Sequence, residues 1–262
     1  MPMRRPRDPG RWIAVAVLAV LFVVGFQPVS AFGLLEVLFP RILWRIETER
    51  PLVALSFDDG PSPEHTARVL DILARHGARA TFFLIGTRAA AHPALVRRMR
   101  EEGHETANHY LTSASALGDS RAAFVDKLLR TEQILGRPAD RKLFRPPGGL
   151  IWPSQLTELE RRGYVCVLGS AYPYDPKHPP AAYIRWLVAK NLRPGAIVVL
   201  HDGIADPSRT IAALDGILEA GREKGLRFVG VGELLAVTSR SPGSAAARAA
   251  RRSSPSSPRC RA

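Results

Sequence analysis

LVALSFDDGP, Leu52–Pro61, carries an apolar run straight into two adjacent carboxylates and a Gly-Pro turn. A short run of apolar and β-branched residues bounded by turn residues has the texture of a buried strand. Asp-Gly by itself reads as a turn, because both residues are common where strands end. The mouth of a strand is also where α/β proteins place their chemistry. The remainder of the chain decides between the two.

Working outward, the same texture returns at ATFFLIG (80–86), HETAN (104–108), KLFRP (142–146), YVCVLGS (164–170), AIVVLH (196–201) and RFVGVG (227–232). Segments with helical spacing lie between most of them, at 64–76, 93–102, 121–135, 154–162, 181–190 and 207–224. In the first, Val69, Leu70, Ile72 and Leu73 fall on one side; in the third, Phe124, Leu128, Leu129 and Leu135 do. Alternation of apolar strands with helices predicts an α/β fold, a parallel sheet covered by helices. About seven such units fit a distorted, incomplete (β/α) barrel, with a doubly wound open sheet as the alternative. The sequence has no internal repeat and no glycine-rich dinucleotide fingerprint.

On such a fold the strand ends converge. Asp58 and Asp59 follow the first strand, His109 the third, Arg145 ends the fourth, Asp175 follows the fifth, and His201 with Asp202 ends the sixth. A turn explains one such residue; ionisable groups from so many strands point to a shared site. A carboxylate and an imidazole from separate strands can hold a divalent metal with positions left open for water, the layout of a catalytic site. Of two adjacent carboxylates, one can bind metal while the other stays free as a base. A nearby arginine keeps that base ionised and oriented, and a second histidine away from the metal can protonate a leaving group. Metal-assisted hydrolysis of an amide or ester follows. Each residue has a plainer reading when taken singly. His109 can be a packed loop cap, His201 a core residue bonding a carbonyl, Asp202 a turn residue, and His104 and His178 surface residues.

SFDDGP, GHETANH, FRPPGG and VVLHDG, in that order and spacing, resemble the polysaccharide deacetylases of carbohydrate esterase family four, over about residues 51–237. The motifs are weak singly and specific in combination. The resemblance implies a distorted (β/α) barrel that removes N- or O-acetyl groups from chitin-like, peptidoglycan or xylan sugars. It also implies a divalent metal, zinc foremost, with cobalt or another divalent ion as alternatives. Carried over, Asp58 matches the catalytic base, Asp59 and His109 the metal ligands, Arg145 the residue that orients the base, and His201 the general acid. Gly148 takes the position whose backbone N–H helps hold the oxyanion, and Asp175 is the candidate for tuning His201.

Three positions depart from the family pattern. The second histidine, four residues after the first, is Ser113, and a neutral hydroxyl is a poor zinc ligand beside imidazole or carboxylate. Ser113 or a water completes a weaker site, Asp119 swings in, or the metal is lost. The tyrosine usual after Arg-Pro-Pro is Gly148, and AYPYDP replaces the Asp-x-x-Asp-Trp element. Tyr172, Tyr174 and Trp152 are candidates to stack on sugar rings.

The two ends of the chain divide from the middle by composition. Of the formal net charge of +13, residues 1–11 hold +3 and residues 238–262 hold +6. The middle is therefore an ordinary domain between basic ends, without the interleaved aromatics of a nucleic-acid platform. No charged residue occurs from Trp12 to Leu35, and a basic segment precedes that stretch. Residues 12–35 read as a membrane anchor or as a signal peptide with Val29-Ser30-Ala31 as cleavage site. Either places the domain outside the cytoplasm, membrane-anchored or secreted. The expected organisation is 1–39 basic start and apolar segment, 40–237 catalytic domain, and 238–262 disordered basic tail. Cys166 is expected in the core, unpaired with Cys260.

Three functions compete. The first is a monomeric metal-dependent deacetylase acting on an acetylated glycan or cell-wall polymer. The second is a barrel that has lost its metal and only binds glycan, an idea that rests on Ser113. The third is a membrane or cell-wall scaffold built on the basic ends.

Overall fold

The computed structural model describes residues 25–27, 29–136 and 141–239. Residues 12–24 of the expected membrane segment and most of the basic tail, Cys260 included, lie outside them. Among the described residues no helix is long and apolar enough to cross a membrane.

The central strand, β2 (Leu52–Gly60), shows how the fold is organised. Side chains alternate faces along a strand. Val53, Leu55 and Phe57 point outward into a cluster with Val69, Leu70 and Leu73 of the helix His65–Arg75. Leu52 and Ala54 point the other way, into an inner cluster with Phe83, Ala107, Leu143, Val167, Ile197 and Val229. Those inner residues come from β3 (Thr81–Leu84), β4 (Glu105–Asn108), β5 (Lys142–Phe144), β6 (Tyr164–Val167), β7 (Ile197–His201) and β8 (Arg227–Val229). Both faces of the strands are thus buried, which is why they read as continuous apolar runs. Each large side chain so buried contributes about 1.5–3 kcal/mol.

All eight strands are parallel, in the order β1-β6-β5-β4-β3-β2-β7, with β8 also pairing β2. The two-residue β1 (Ile42–Leu43) is an addition to the expected strands. Among the described residues no ladder joins β6 to β7. That gap is spanned by a lone bridge between Ala171 and Val198 and by the Ile46 N–H donating to Gly195 O at 2.9 Å. The barrel is therefore distorted and incomplete, seven parallel strands plus the short β1.

The expected helices are present with ends shifted by at most one residue. Among the described residues, three further α-helices were not expected. Gly86–Ala91 is short, and Val29–Leu38 falls within the apolar N-terminal segment. Val231–Ser239 begins inside the run read as a strand. Its first turn is capped from afar: the Glu105 carboxylate accepts from the N–H groups of Gly232 and Glu233 at 2.9 and 2.8 Å. One further reading is corrected: His104 is buried rather than on the surface, accepting from Ala80 N–H, and burial depresses its pKa to about 4. Asp202 does sit in the bend that follows β7, and it is completely buried there.

Candidate active site

The inward parity of the strands continues past their ends. Ser56 and Asp58 follow Ala54 on β2, His109 follows Ala107, Arg145 follows Leu143, and Val199 and His201 follow Ile197. Asp58 lies in register with His201 on one side and Phe83 on the other. The hydrophobic interior of the barrel thus ends in a polar floor.

A regular strand would send Asp59 to the opposite face from Asp58. The β2–β3 register shifts between Asp58 and Gly60, and Asp59 adopts φ +68, a left-handed conformation that aspartate tolerates better than most residues. This irregularity lets both carboxylates line one cavity. It is locked from below. The Asp202 and Gly203 N–H groups both donate to Asp58 O, and Arg88 Nη1 donates to Asp59 O at 2.6 Å and to Gly203 O. Gly203 has to be glycine, because a Cβ there would stand 2.0 Å from Asp59 O. Asp202 takes a hydrogen bond from Thr66, and burial raises its pKa to about 7.

Asp58, Asp59, His109, Arg145, Gly148, Tyr172, Tyr174 and His201 surround one cavity of about 400 Å³. Arg145 is 2% exposed and fully engaged. Its Nη1 donates to Asp58 Oδ1 at 2.5 Å and Ser56 Oγ at 2.8 Å, Nε to Val167 O, and Nη2 to Leu168 O. Its guanidinium lies 4.0 Å from the Phe83 ring centroid. Asp58 Oδ2 remains, 4.0 Å from both His109 Nε2 and His201 Nε2.

Asp175, in the turn Asp175–Lys177, stands behind His201. Its Oδ1 lies 2.9 Å from His201 Nδ1, while Oδ2 accepts from the His201 N–H at 2.8 Å and Thr210 Oγ1 at 2.9 Å. A carboxylate only accepts, so the proton sits on Nδ1. Burial works against a charged imidazole here. The charge and hydrogen bond of Asp175, helped by Asp58 and Asp59, outweigh it and raise the His201 pKa to about 9.

His109 is held by the same logic. Its Nδ1 donates to Arg145 O at 2.8 Å, which leaves the Nε2 lone pair facing the carboxylates. Asp59 Oδ1 is 3.6 Å from that nitrogen. This is too long for a hydrogen bond. It matches two donors on one tetrahedral zinc, which stand roughly 3.3–3.6 Å apart for bonds of about 2.0–2.2 Å. Asp59 and His109 therefore fit a divalent cation as two of its ligands. Among the described residues no group of three His, Cys, Asp or Glu side chains could hold one. Ser113 is exposed in the bend 111–114 and does not line the cavity. Asp119 is tied to Lys127 Nζ and Tyr110 Oη, both at 2.6 Å.

Gly148, at φ +70, and Gly149 form the loop after Arg145, and the Gly149 N–H donates to Pro146 O at 2.9 Å. Tyr172 and Tyr174 pack ring to ring at 4.6 Å, with Tyr172 5.8 Å from the His201 ring. Trp152 is exposed, its Nε1 donating to Leu117 O at 3.0 Å. Ser56, Thr210, Arg88 and the Asp202–Thr66 pair were not anticipated. A serine between apolar residues within a strand, at inward parity with Asp58, was the one visible signal among them.

Residues 45–167 match the family model described as polysaccharide deacetylase. A peptidoglycan-N-acetylglucosamine deacetylase of Bacillus cereus is 39% identical over 197 residues, 74% of this chain and 92% of that protein. A chitooligosaccharide deacetylase of Sinorhizobium fredii is 35% identical over 198 residues, 71% of this chain and 92% of that protein. Among solved structures, a peptidoglycan N-acetylglucosamine deacetylase superposes with a TM-score of 0.70 at 31% identity, over 74% of this chain and 92% of the other. With four motifs gathered at one rim and likeness running through most of the domain, the chain belongs to the polysaccharide deacetylase family.

Proposed function

We propose that this enzyme hydrolyses the acetamide of N-acetylglucosamine units in an acetylated glycan, of the peptidoglycan or chitooligosaccharide kind its relatives are named for. The observation that carries the reading is the Asp58 carboxylate. One oxygen is held by Arg145 at 2.5 Å, and the other stands 4.0 Å from two imidazoles of different character.

Asp58 Oδ2 accepts the proton of the attacking water, and Arg145 keeps the carboxylate ionised and fixed in orientation. The water oxygen bonds to the acetyl carbon, and the Gly148 N–H faces the oxygen on which negative charge develops. His201, protonated because of Asp175, delivers a proton from Nε2 to the sugar nitrogen. The carbon–nitrogen bond breaks, and acetate and an amine leave. A divalent cation held by Asp59 and His109 would supply polarisation of the carbonyl and acidification of the water. Zinc suits that donor pair, with cobalt as alternative, and Ser113 is the weakest member of the set. Tyr172 and Tyr174 offer apolar ring faces to the sugar.

The surrounding organisation belongs to the same proposal: a monomeric domain over residues 40–237, a basic tail from 238, and a position outside the cytoplasm. Membrane association through residues 12–35 is supported by their lack of charge; within the described part of that stretch Gln27 and Phe32 turn to the barrel, while Leu34 and the following Val37, Leu38 and Phe39 are left exposed. Acetate release from chitooligosaccharides and peptidoglycan fragments tests the reading, with and without added zinc or cobalt. Release by the parent chain, and release lowered at least about 10²-fold in Asp58→Asn, is the expected result. Glycan binding without release under any metal would favour the pure binder that the exposure of Ser113 suggests.

A further inference from the structure

The cavity is bounded on one side by residues that precede the barrel. Gln27, Phe32, Leu35 and Trp44 line it together with the carboxylates and imidazoles. This side is fastened. Gln27, 5% exposed, grips the backbone of Tyr172 from both directions: its Nε2 donates to Tyr172 O, and its Oε1 accepts the Tyr172 N–H at 3.1 Å. Tyr183 Oη donates to Gly25 O at 2.8 Å, and Lys190 Nζ donates to Phe26 O. Phe32 is buried, and at the far end Glu36 accepts two hydrogen bonds from Arg45 at 2.6 and 3.0 Å. The N-terminal segment thus does more than lead into the domain. It closes one flank of the site that Asp58 and His201 occupy.

Trp44 is partly buried and lines the cavity beside Phe32 and Leu35, so this flank offers apolar and aromatic surface next to the carboxylates and imidazoles. The volume of about 400 Å³ is at the small end for a ligand pocket.

We propose that Phe32, Leu35 and Trp44 form a specificity wall that turns the glycan cleft into a pocket for the end of a chain or a short oligosaccharide. This rests on the glycan reading above. Phe32 and Leu35 block the path of a polymer running through, and the Trp44 ring adds aromatic surface for the unit that fits.

The test uses the full chain carrying Asp58→Asn, titrated calorimetrically with chitooligosaccharides from disaccharide to hexasaccharide. With the wall intact, affinity levels off after the shortest ligands. With Phe32→Ala and Leu35→Ala added, it should keep rising, by about tenfold across the ladder, the worth of one further stacked ring. Leu35→Trp, which thickens the wall, should flatten the profile further, and Trp44→Ala, which removes the ring from the cavity lining, should weaken every ligand by a similar factor. In the parent chain, mass spectrometry of products should place the free amine at chain ends, and in the opened variant also inside the chain. Identical length profiles with and without the wall would overturn the proposal. A level profile without acetate release would leave the wall standing and sink the catalytic reading. Binding of no ligand by either chain would overturn both.

Discussion

On the His201 side of Asp58, each oxygen of Asp175 has a partner: one the imidazole, the other the His201 N–H and the Thr210 hydroxyl. On the His109 side, the imidazole is fixed from behind by Arg145 O, and in front of it stand Asp59 at 3.6 Å and Asp58 at 4.0 Å, neither within hydrogen-bond reach. The same carboxylate serves both flanks from 4.0 Å. In the proposed reaction the acid side is complete within the protein, while the cation side would draw on a metal ion. A proton donor must be held in one protonation state and one orientation, which buried partners can do. A catalytic metal site needs open positions, so part of its coordination is left to water and substrate. Among the described residues, Asp59 and His109 fall one side chain short of the three that such zinc sites have.

The comparison breaks first at its centre. Asp58→Asn keeps the shape of the side chain and removes the base, so kcat/KM for acetate release should fall by about 10²–10⁴-fold. The variant should also be less stable, because Arg145 would stay buried without its countercharge. Chemical denaturation of parent and variant reads that loss separately from the kinetics.

Asp175→Asn should disable the acid side alone. Without the Asp175 charge, burial dominates and the His201 pKa falls from about 9 to below its ordinary 6.5. The alkaline limb of the pH–rate profile, expected near pH 9, should move to the acid side of neutrality, with a loss of about 10²-fold at neutral pH. Stability carries the same signature. A pKa raised from 6.5 to about 9 gives a stabilisation fully present below pH 6.5 and lost as the pH climbs through about 9. Denaturation midpoints across that range should converge for parent and variant at the alkaline end. Parallel curves would mean that His201 is not held charged by Asp175.

Much of this was legible in the chain. The strands announced themselves because both faces are buried, and each polar residue of the floor sits at a strand's end with the parity of the interior. What stayed hidden depends on distant partners. The helix Val231–Ser239 takes its N-terminal cap from Glu105, and no local signal marks a cap supplied from another strand. Asp202 looks like a turn residue in HDG, yet it packs beneath Asp58, where Thr66 reaches it. Asp175 was placed by its position after a strand, but its hold on both His201 and Thr210 follows from a turn no pattern predicts. The flank of the cavity lined by Gln27, Phe32 and Leu35 was hidden for a different reason. An uncharged N-terminal stretch reads as membrane or signal, and the same composition suits packing against a cavity.

The cation side is sharpened by addition rather than removal. Ser113→His restores a third donor four residues after His109. Zinc affinity, measured by competition with a chelating dye, should rise on the order of 10–100-fold, the scale on which neighbours of a metal tune its binding. Activity in limiting zinc should rise with it, while the pH limb set by His201 stays in place. Unchanged affinity would show that the exposed bend 111–114 holds residue 113 away from the cavity.

The smallest effect expected lies beneath both flanks. Ser56 Oγ accepts from Arg145 Nη1 at 2.8 Å and donates to Val198 O at 2.7 Å, so it ties the arginine to β7, the strand that ends in His201. Ser56→Ala leaves Nη1 with Asp58 and deprives Val198 O of the serine hydroxyl. The stability loss should be about 1–3 kcal/mol, the scale of two buried hydrogen bonds. Because Arg145 keeps its other contacts, kcat should fall only about threefold, with KM unchanged. A loss as large as that of Asp58→Asn would mean that Ser56, rather than the backbone carbonyls of Val167 and Leu168, fixes the guanidinium, and that the centre is no more self-sufficient than its cation side.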